Sequence, residues 1–195
     1  DMGHIFPAAR TRATPAPRPP TVAAMSIIGF PNPVNEKAAR TVAAGVLVLA
    51  LLAIVTGQLW LTAVLAYGFI ARALAGPTLS PLGQFAVRAA PALLGPPRLV
   101  PGPPKRFAQA IGAVITTSAA VLHFVFGQTT ATLVLLGVIA VAAALEAIFA
   151  VCIGCIVFGA LMRMGVIPDS ICADCADVSR RLEAAERRRA AELTP

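Results

Sequence analysis

The stretch that decides the fold runs from Thr41 to Ala75 and reads TVAAGVLVLALLAIVTGQLWLTAVLAYGFIARALA. A membrane-spanning helix needs roughly 20 apolar residues, so this stretch is too long for one span and long enough for two. Its main polar interruption is Thr56-Gly57-Gln58, where we expect a tight turn. The stretch therefore predicts a hairpin of two membrane helices, at about 37–56 and 58–75.

The distribution of proline extends this pattern to the rest of the chain. All seventeen prolines lie outside two blocks, 34–76 and 105–167. Because proline breaks the interior of a helix, we expect the two proline-free blocks to be the helical ones. The second block predicts two further membrane helices, at about 106–126 and 130–164, again with a Gly-Gln turn between them.

The fourth predicted helix is longer than a membrane requires. At ~1.5 Å per residue it would measure ~50 Å, whereas the hydrocarbon core of a bilayer is ~30 Å thick. We therefore expect this helix to tilt, to protrude or to break, with Gly154 and Gly159 as the expected places for a bend. Both predicted hairpins turn at a Gly-Gln pair, which is expected if one hairpin is a duplicate of the other. It is also expected if two unrelated hairpins favour the same turn residues, and the sequence leaves both open.

Composition agrees with a multi-pass membrane protein. Hydrophobic residues make up 57% of the 195 residues and charged residues 13%, which excludes a large soluble α/β enzyme, a disordered protein and a coiled coil. The net charge of +7 does not indicate nucleic-acid binding, because the basic residues lie between the apolar runs and aromatic residues are few. The sequence contains no glycine-rich phosphate loop and no Ser/His/Asp set, so kinase and hydrolase functions have no support.

The positions of the basic residues predict the orientation. All sixteen lie before helix one, near or between the inner ends of helices two and three, or at the end of helix four and beyond it. They are Arg10, Arg12, Arg18, Lys37 and Arg40; Arg72, Arg88, Arg98, Lys105 and Arg106; and Arg163, Arg180, Arg181, Arg187, Arg188 and Arg189. Neither outer turn carries one. The positive-inside rule then places both termini and the central loop in the cytoplasm, with the protein in the plasma membrane.

The segments outside the spans divide the chain into three parts. Residues 1–30 form a basic, Ala/Pro-rich tail that we expect to be disordered near anionic lipid. Residues 31–167 form the membrane domain, and residues 168–195 form a cytoplasmic segment with a charged helix from Ala176 to Leu193.

Capping residues mark two helix starts. Asn35 is a suitable N-cap for helix one. In the central loop, Ser80 followed by Pro81 predicts the start of a short interfacial helix that ends at Pro91.

Four cysteines form two pairs, Cys152-Ile153-Gly154-Cys155 and Cys172-Ala173-Asp174-Cys175. The first pair lies where helix four reaches the inner membrane boundary, and a spacing of three residues places its two thiols on one helix face. The second pair lies in the cytoplasm, where thiols are kept reduced, so we do not expect a static structural disulfide. Cys172 lies near the start of the next predicted helix, whose dipole favours the thiolate and makes Cys172 the better nucleophile.

This cysteine pattern supports two functions. In the first, the two pairs pass electrons or a sulfane sulfur from one to the other, with no cofactor. In the second, all four cysteines bind zinc, if the helix ends near Gly165 and residues 166–172 return toward its start. The protein would then be a scaffold with a clamped cytoplasmic hairpin. Inert cysteines are the third interpretation, and whether the protein is an enzyme stays open.

Among the polar residues of the predicted spans, three are candidates for a functional or packing role. Glu146 and Arg72 lie at similar depths in helices that run in the same direction, so we expect an ion pair between them. His123 lies near the outer end of helix three, where we expect an interfacial anchor. A small transporter would need a polar path through the membrane, for which these three residues and a few hydroxyl groups are the available side chains.

Several of these residues resemble an actinobacterial membrane family, domain of unknown function 4395. The resemblance covers about residues 30–175, and the segments that carry it are 31–37, Gly76-Pro77, 104–109 and Glu146 followed by Cys-Ile-Gly-Cys. It implies a thiol or sulfur role beside a thioredoxin-like or sulfurtransferase partner, and it assigns no catalytic residue. An oligomer or a larger membrane complex is compatible with this role.

Overall fold

The computed structural model describes residues 30–172 and Cys175, and this part of the chain is almost entirely helical. Its helices are α1 (Glu36–Thr56), α2 (Leu61–Ala75), α3 (Pro81–Leu94), α4 (Gly102–Phe124), α5 (Thr129–Phe149) and α6 (Ile153–Arg163). Two short strands, β1 (Val34–Asn35) and β2 (Leu99–Val100), and a 3-10 turn at Asp169–Ile171 complete the described elements. The expected tail and the expected helix at Ala176–Leu193 lie outside the described residues.

Four of the helices form a bundle built from two hairpins. Helix α1 packs against α2 and α5, and α4 packs against α2 and α5. Each hairpin turns at a glycine in the left-handed region, with φ of 69° at Gly57 and 63° at Gly127. Other residues adopt this conformation only at a cost, which explains why both turns contain glycine. The two predicted turn positions are therefore confirmed.

Three of the bundle helices are long enough and apolar enough to cross a membrane. Helices α1, α4 and α5 have 21, 23 and 21 residues, and only 33%, 17% and 28% of their most apolar windows is buried inside the protein. Most of their apolar side chains face outward, as lipid-facing side chains do. Helix α2 is shorter than predicted, with 15 residues, because the chain turns through Leu59 and Trp60 before the helix begins.

Both predicted N-caps are present. The Asn35 side chain accepts a hydrogen bond from the Lys37 amide at 3.1 Å, and the Ser80 hydroxyl accepts one from the Gly83 amide at 3.2 Å. The prediction that Pro91 ends this second helix is wrong, because α3 continues to Leu94. Packing against α1 buries one side of α3 fully and stabilises the helix through the proline.

The two short strands tie the start of α1 to the start of α4. They pair antiparallel, with Val34 opposite Val100. Next to them, Asn32 Oδ1 accepts a hydrogen bond from the Gly102 amide at 2.9 Å. Glu36 also forms a 3.1 Å ion pair with Arg98. These contacts hold the first turns of both helices at the same end of the bundle.

The fourth predicted helix is broken, although not at either expected glycine. Helix α5 ends at Phe149, Ala150 adopts a left-handed φ of 59°, and α6 begins after Cys152. Arg40 of α1 donates hydrogen bonds to the carbonyls of Ala147 (3.0 Å) and Ile148 (3.2 Å), which satisfies the free end of α5. The expected bend at Gly154 or Gly159 is therefore wrong, and the break lies one turn earlier than Gly154.

Gly154 allows α6 to pack closely on α4 and is not the site of a helix bend. A Cβ atom at this position would lie 2.5 Å from the Ala108 Cβ atom and 2.6 Å from its Cα atom. The absence of a side chain lets α6 lie directly on α4, and Phe158 extends the contact by an edge-to-face interaction with Phe107 at 5.6 Å. Helix α6 is thereby fixed across the start of α4.

Candidate functional site: a dithiol at the break between α5 and α6

The break between α5 and α6 places two free thiols side by side. Cys152 is the N-cap residue of α6, and Cys155 lies in its first turn. Cys152 is 8% exposed, and Cys155 is half-buried. The amides of a first helical turn have no partners within the helix, so their partial positive charge favours a thiolate at this position. The structure thus places a cysteine of the first pair at a helix start, a position that we expected for Cys172.

An ion pair lies beside these thiols. Lys105 Nζ is 2.6 Å from Glu146 Oε1, and the two side chains are only 11% and 16% exposed. The predicted pair of Glu146 with Arg72 is wrong. Because α5 ends at Phe149, Glu146 lies in the last turn of this helix, level with Lys105 in the first turn of α4. Lys105 and Glu146 lie on opposite sides of the Gly127 turn and at similar distances from it along α4 and α5, so the antiparallel hairpin brings them to the same level.

Arg72 has other partners. Its Nε donates to Gln109 Oε1 at 2.8 Å, its Nη1 donates to the Ser80 hydroxyl at 3.2 Å, and its guanidinium lies 4.7 Å from the centre of the Phe69 ring. Its Nη2 atom is buried and has no acceptor in the described residues. Arg72 therefore joins α2 to α4 and to the start of α3, which is the packing role that we expected the ion pair to fill.

The two thiols influence each other's ionisation. Both lie beyond the end of α5, outside the long apolar helices. The hydrogen bond with the Cys155 thiol lowers the pKa of Cys152, and this effect outweighs burial and the Glu146 carboxylate, which raise it; the Lys105 ammonium lowers it slightly further. The same hydrogen bond and burial raise the pKa of Cys155. Cys152 is therefore the thiol that ionises first, and Cys155 is its protonated neighbour.

The second cysteine pair is oxidised. Cys172 and Cys175 form a disulfide, with their Cα atoms 5.2 Å apart. This differs from the reduced pair expected in a cytoplasmic segment. The chain reaches Cys172 after turning at Gly165, as expected, where the Val166 amide donates to the Leu161 carbonyl at 3.0 Å. Among residues 30–172 and Cys175, no group of three or more His, Cys, Asp or Glu side chains is arranged to hold a metal ion.

A cavity of about 550 Å³ adjoins the first pair. Helices α1, α2, α4, α5 and α6 contribute to its wall, which is formed almost entirely by aliphatic side chains. Its polar lining residues are Gln109, Glu146 and Cys152. Val138 and Val141 line the cavity and are 49% and 61% exposed, so it opens on the outer surface of the bundle. One of the two reduced thiols is thus reached from an apolar space.

Sequence reasoning identified all four cysteines and Glu146 but missed two residues of the site. Lys105 was used as an orientation signal and as part of the family segment 104–109, and its similar distance from the Gly127 turn would have matched it to Glu146. Gln109 carries no signal in the sequence beyond its position one turn after Lys105. The expected interfacial anchor, His123, is not part of this site. It lies in the last turn of α4, and its ring contacts the Phe124 ring edge to face at 4.9 Å.

Comparison with known proteins gives one match. The family model described as "Domain of unknown function (DUF4395)" matches residues 34–163, two-thirds of the chain, and this region contains Cys152, Cys155 and the Lys105–Glu146 ion pair. Neither the curated proteins nor the solved structures yield a match.

Proposed function

The chain belongs to the DUF4395 family, and we propose that it is a membrane thiol relay that exchanges electrons between the Cys152/Cys155 pair and the Cys172/Cys175 pair. The observation that carries this proposal is a free dithiol at a helix start, beside the ion pair of Lys105 and Glu146, in a chain whose other pair is a disulfide. One oxidised and one reduced pair are the starting materials of thiol–disulfide exchange.

The proposed topology is two membrane hairpins with both termini in the cytoplasm. The outward-facing apolar side chains of α1, α4 and α5 support membrane insertion. Helix α2, although short, is antiparallel to α1 as the second arm of its hairpin. The cluster of basic residues at one end of the bundle supports the orientation. A reporter fused after Gly57 or Gly127 should lie outside the cytoplasm, and a cytoplasmic signal at either site would overturn this topology.

The exchange proceeds in two steps that conserve atoms and electrons. The Cys152 thiolate attacks one sulfur of the Cys172–Cys175 disulfide, which forms a mixed disulfide and releases the other sulfur as a thiolate that takes up a proton. Cys155 then loses its proton and attacks Cys152, which forms the Cys152–Cys155 disulfide and releases the second thiolate. Two electrons pass from the inner pair to the outer pair, and the reverse reaction uses the same intermediate.

The expected partner is a soluble cytoplasmic thioredoxin-like protein that exchanges with the outer pair. A sulfurtransferase would use the same thiols to pass a sulfane sulfur as a persulfide. The two partners are distinguished by what is trapped on Cys172 in a Cys175→Ser variant: a mixed disulfide with the partner in the first case, a persulfide in the second.

The relay is tested by trapping its internal intermediate. In the purified full-length protein, Cys155→Ser removes the thiol that resolves the mixed disulfide, so a Cys152–Cys172 or Cys152–Cys175 cross-link should accumulate and be detected by peptide mass spectrometry. Cys152→Ser is the matched variant and identifies the attacking thiol: an equally strong cross-link from Cys155 would show that Cys152 is not the specific nucleophile. Absence of any cross-link between the two pairs over a range of redox buffers would overturn the relay.

The competing proposal is a scaffold protein whose four cysteines bind zinc. The zinc content of the purified protein distinguishes this proposal from the relay. About one zinc per chain in protein purified under reducing conditions, lost on replacement of the four cysteines with serine, would favour the scaffold. Zinc-free protein whose thiols exchange would favour the relay.

A further inference from the structure

We propose that the cavity beside Cys152 binds a neutral, lipid-soluble quinone, which the Cys152/Cys155 dithiol reduces. This inference rests on the proposed relay and names the acceptor at its membrane end. The juxtaposition that carries it is a reactive thiol at the polar end of an apolar cavity that opens toward the lipid.

The size and lining of the cavity suit such a ligand. Its volume of about 550 Å³ lies within the range of ~300–1,000 Å³ that small-molecule sites occupy. Aliphatic residues from α1, α4, α5 and α6 form most of the wall, and Phe69 of α2 completes it. The opening at Val138 and Val141 lies midway along α5, where the hydrocarbon tail of a ligand would remain in the bilayer.

The charge balance favours a neutral head group. Glu146 is the one charged residue in the lining, and Lys105 neutralises it at 2.6 Å. A charged ligand would have no counter-ion in the cavity and would have to lose its hydration without compensation. Gln109 accepts from Arg72 through its Oε1 atom, and its amide nitrogen has no acceptor among the described residues. This amide is therefore a suitable donor to a quinone carbonyl.

The chemistry of the thiols selects a quinone over a lipid chain. A dithiol becomes a disulfide by giving up two electrons and two protons, and a quinone becomes a hydroquinone by taking up the same number. The Cys152 and Cys155 S–H bonds break, the S–S bond forms, and both quinone oxygens become hydroxyl groups. A fatty acyl chain could fill the same apolar space, but it could not accept the electrons. The outer pair, reduced by its partner, would then reduce the inner pair again.

The experiment uses two glycines with open space around them. A Cβ atom at Gly137 or at Gly159 would meet nothing within 4 Å, but only Gly137 lines the cavity. Gly137→Phe should occupy part of the cavity, since its Cβ atom meets no other atom, and Gly159→Phe is the matched control on α6. Both substitutions should favour the helix, because glycine is the poorer helix former.

Quinone reduction is measured with the full-length protein in lipid nanodiscs, after reduction and removal of reductant. Decylubiquinone is added, and the loss of its ultraviolet absorbance is followed together with the free-thiol content. Native protein and Gly159→Phe should reduce the quinone and lose two thiols for each quinone consumed. Gly137→Phe should slow the reaction about tenfold or more, equivalent to ~1.4 kcal/mol of lost binding. Its Cys152 cross-link to the outer pair should still form in the Cys155→Ser background.

Other outcomes separate this inference from the relay itself. If the Cys155→Ser variant forms the internal cross-link but native protein does not reduce the quinone, the quinone site is wrong and the relay stands. If neither reaction occurs, the relay is wrong. If Gly137→Phe reduces the quinone as fast as Gly159→Phe, reduction does not use this cavity. If mass spectrometry of the purified protein shows phospholipid that decylubiquinone cannot displace, the cavity is a lipid site.

Discussion

The ion pair between Lys105 and Glu146 gives the most direct test of the structure, because the sequence alone predicts a different pair. We consider the variants Glu146→Gln and Lys105→Gln and the double variant. Each single change leaves one charge without its partner in a site where the side chains are only 11% and 16% exposed. Removing one member of a buried pair is generally worse than removing both.

The expected magnitude follows from this burial. Breaking a fully buried pair costs ~3–5 kcal/mol, and partial exposure together with the flexible lysine stem lowers the expected cost of each single change to ~2 kcal/mol. The double variant leaves no unpaired charge and should lose only ~1 kcal/mol, because a hydrogen bond is still lost. The coupling free energy is then ~3 kcal/mol, more than a hundredfold in the unfolding equilibrium.

The assay is a double-mutant cycle on the free energy of unfolding. The full-length protein is unfolded by SDS in mixed micelles, and helix content is followed by circular dichroism. A second cycle combines Glu146→Gln with Arg72→Gln under the same conditions. Because Arg72 hydrogen-bonds to Gln109 and Ser80 and forms no ion pair with Glu146, only a longer-range attraction joins the two charges, and the coupling in its cycle should be well below that in the Lys105 cycle.

Two results would refute this reasoning. Additive losses in the Lys105 cycle would show that the 2.6 Å contact contributes nothing to stability. A larger coupling in the Arg72 cycle than in the Lys105 cycle would restore the pairing expected from the sequence.

Three further predictions concern the region around the break. Gly154→Val should destabilise the protein by ~1–3 kcal/mol in the same SDS assay through overpacking against α4, whereas Gly159→Val, in open space, should not. Arg40→Gln should cost ~1–2 kcal/mol, because the last carbonyls of α5 lose a charged donor, and Arg40→Lys should recover part of this loss. Because the pKa of Cys152 is lowered, its alkylation by iodoacetamide should reach half its maximal rate at a lower pH than that of an ordinary thiol. Cys155→Ala should raise this pH, and an unchanged pH dependence of the alkylation rate would contradict the thiol–thiol interaction.

Much of the fold could be predicted from the sequence because its signals are local. The turns at Gly57 and Gly127 require a conformation that favours glycine, and the caps at Asn35 and Ser80 require a side-chain acceptor next to the first helical turn. The helical class and the three long apolar helices follow from the length of the apolar runs. None of these features depends on what lies elsewhere in the chain.

The site itself depends on contacts between residues that are distant in sequence, and only the tertiary structure decided it. No local signal ends α5 at Phe149: the following Ala-Val sequence is compatible with a helix, and Arg40, more than a hundred residues earlier, binds the freed carbonyls. That break turns Cys152 into a helix N-cap, and the packing of α6 on α4 places the thiols beside the Lys105–Glu146 ion pair. A helix that is apolar on every side can end wherever its neighbours satisfy its backbone, so its end follows from packing and not from its own residues.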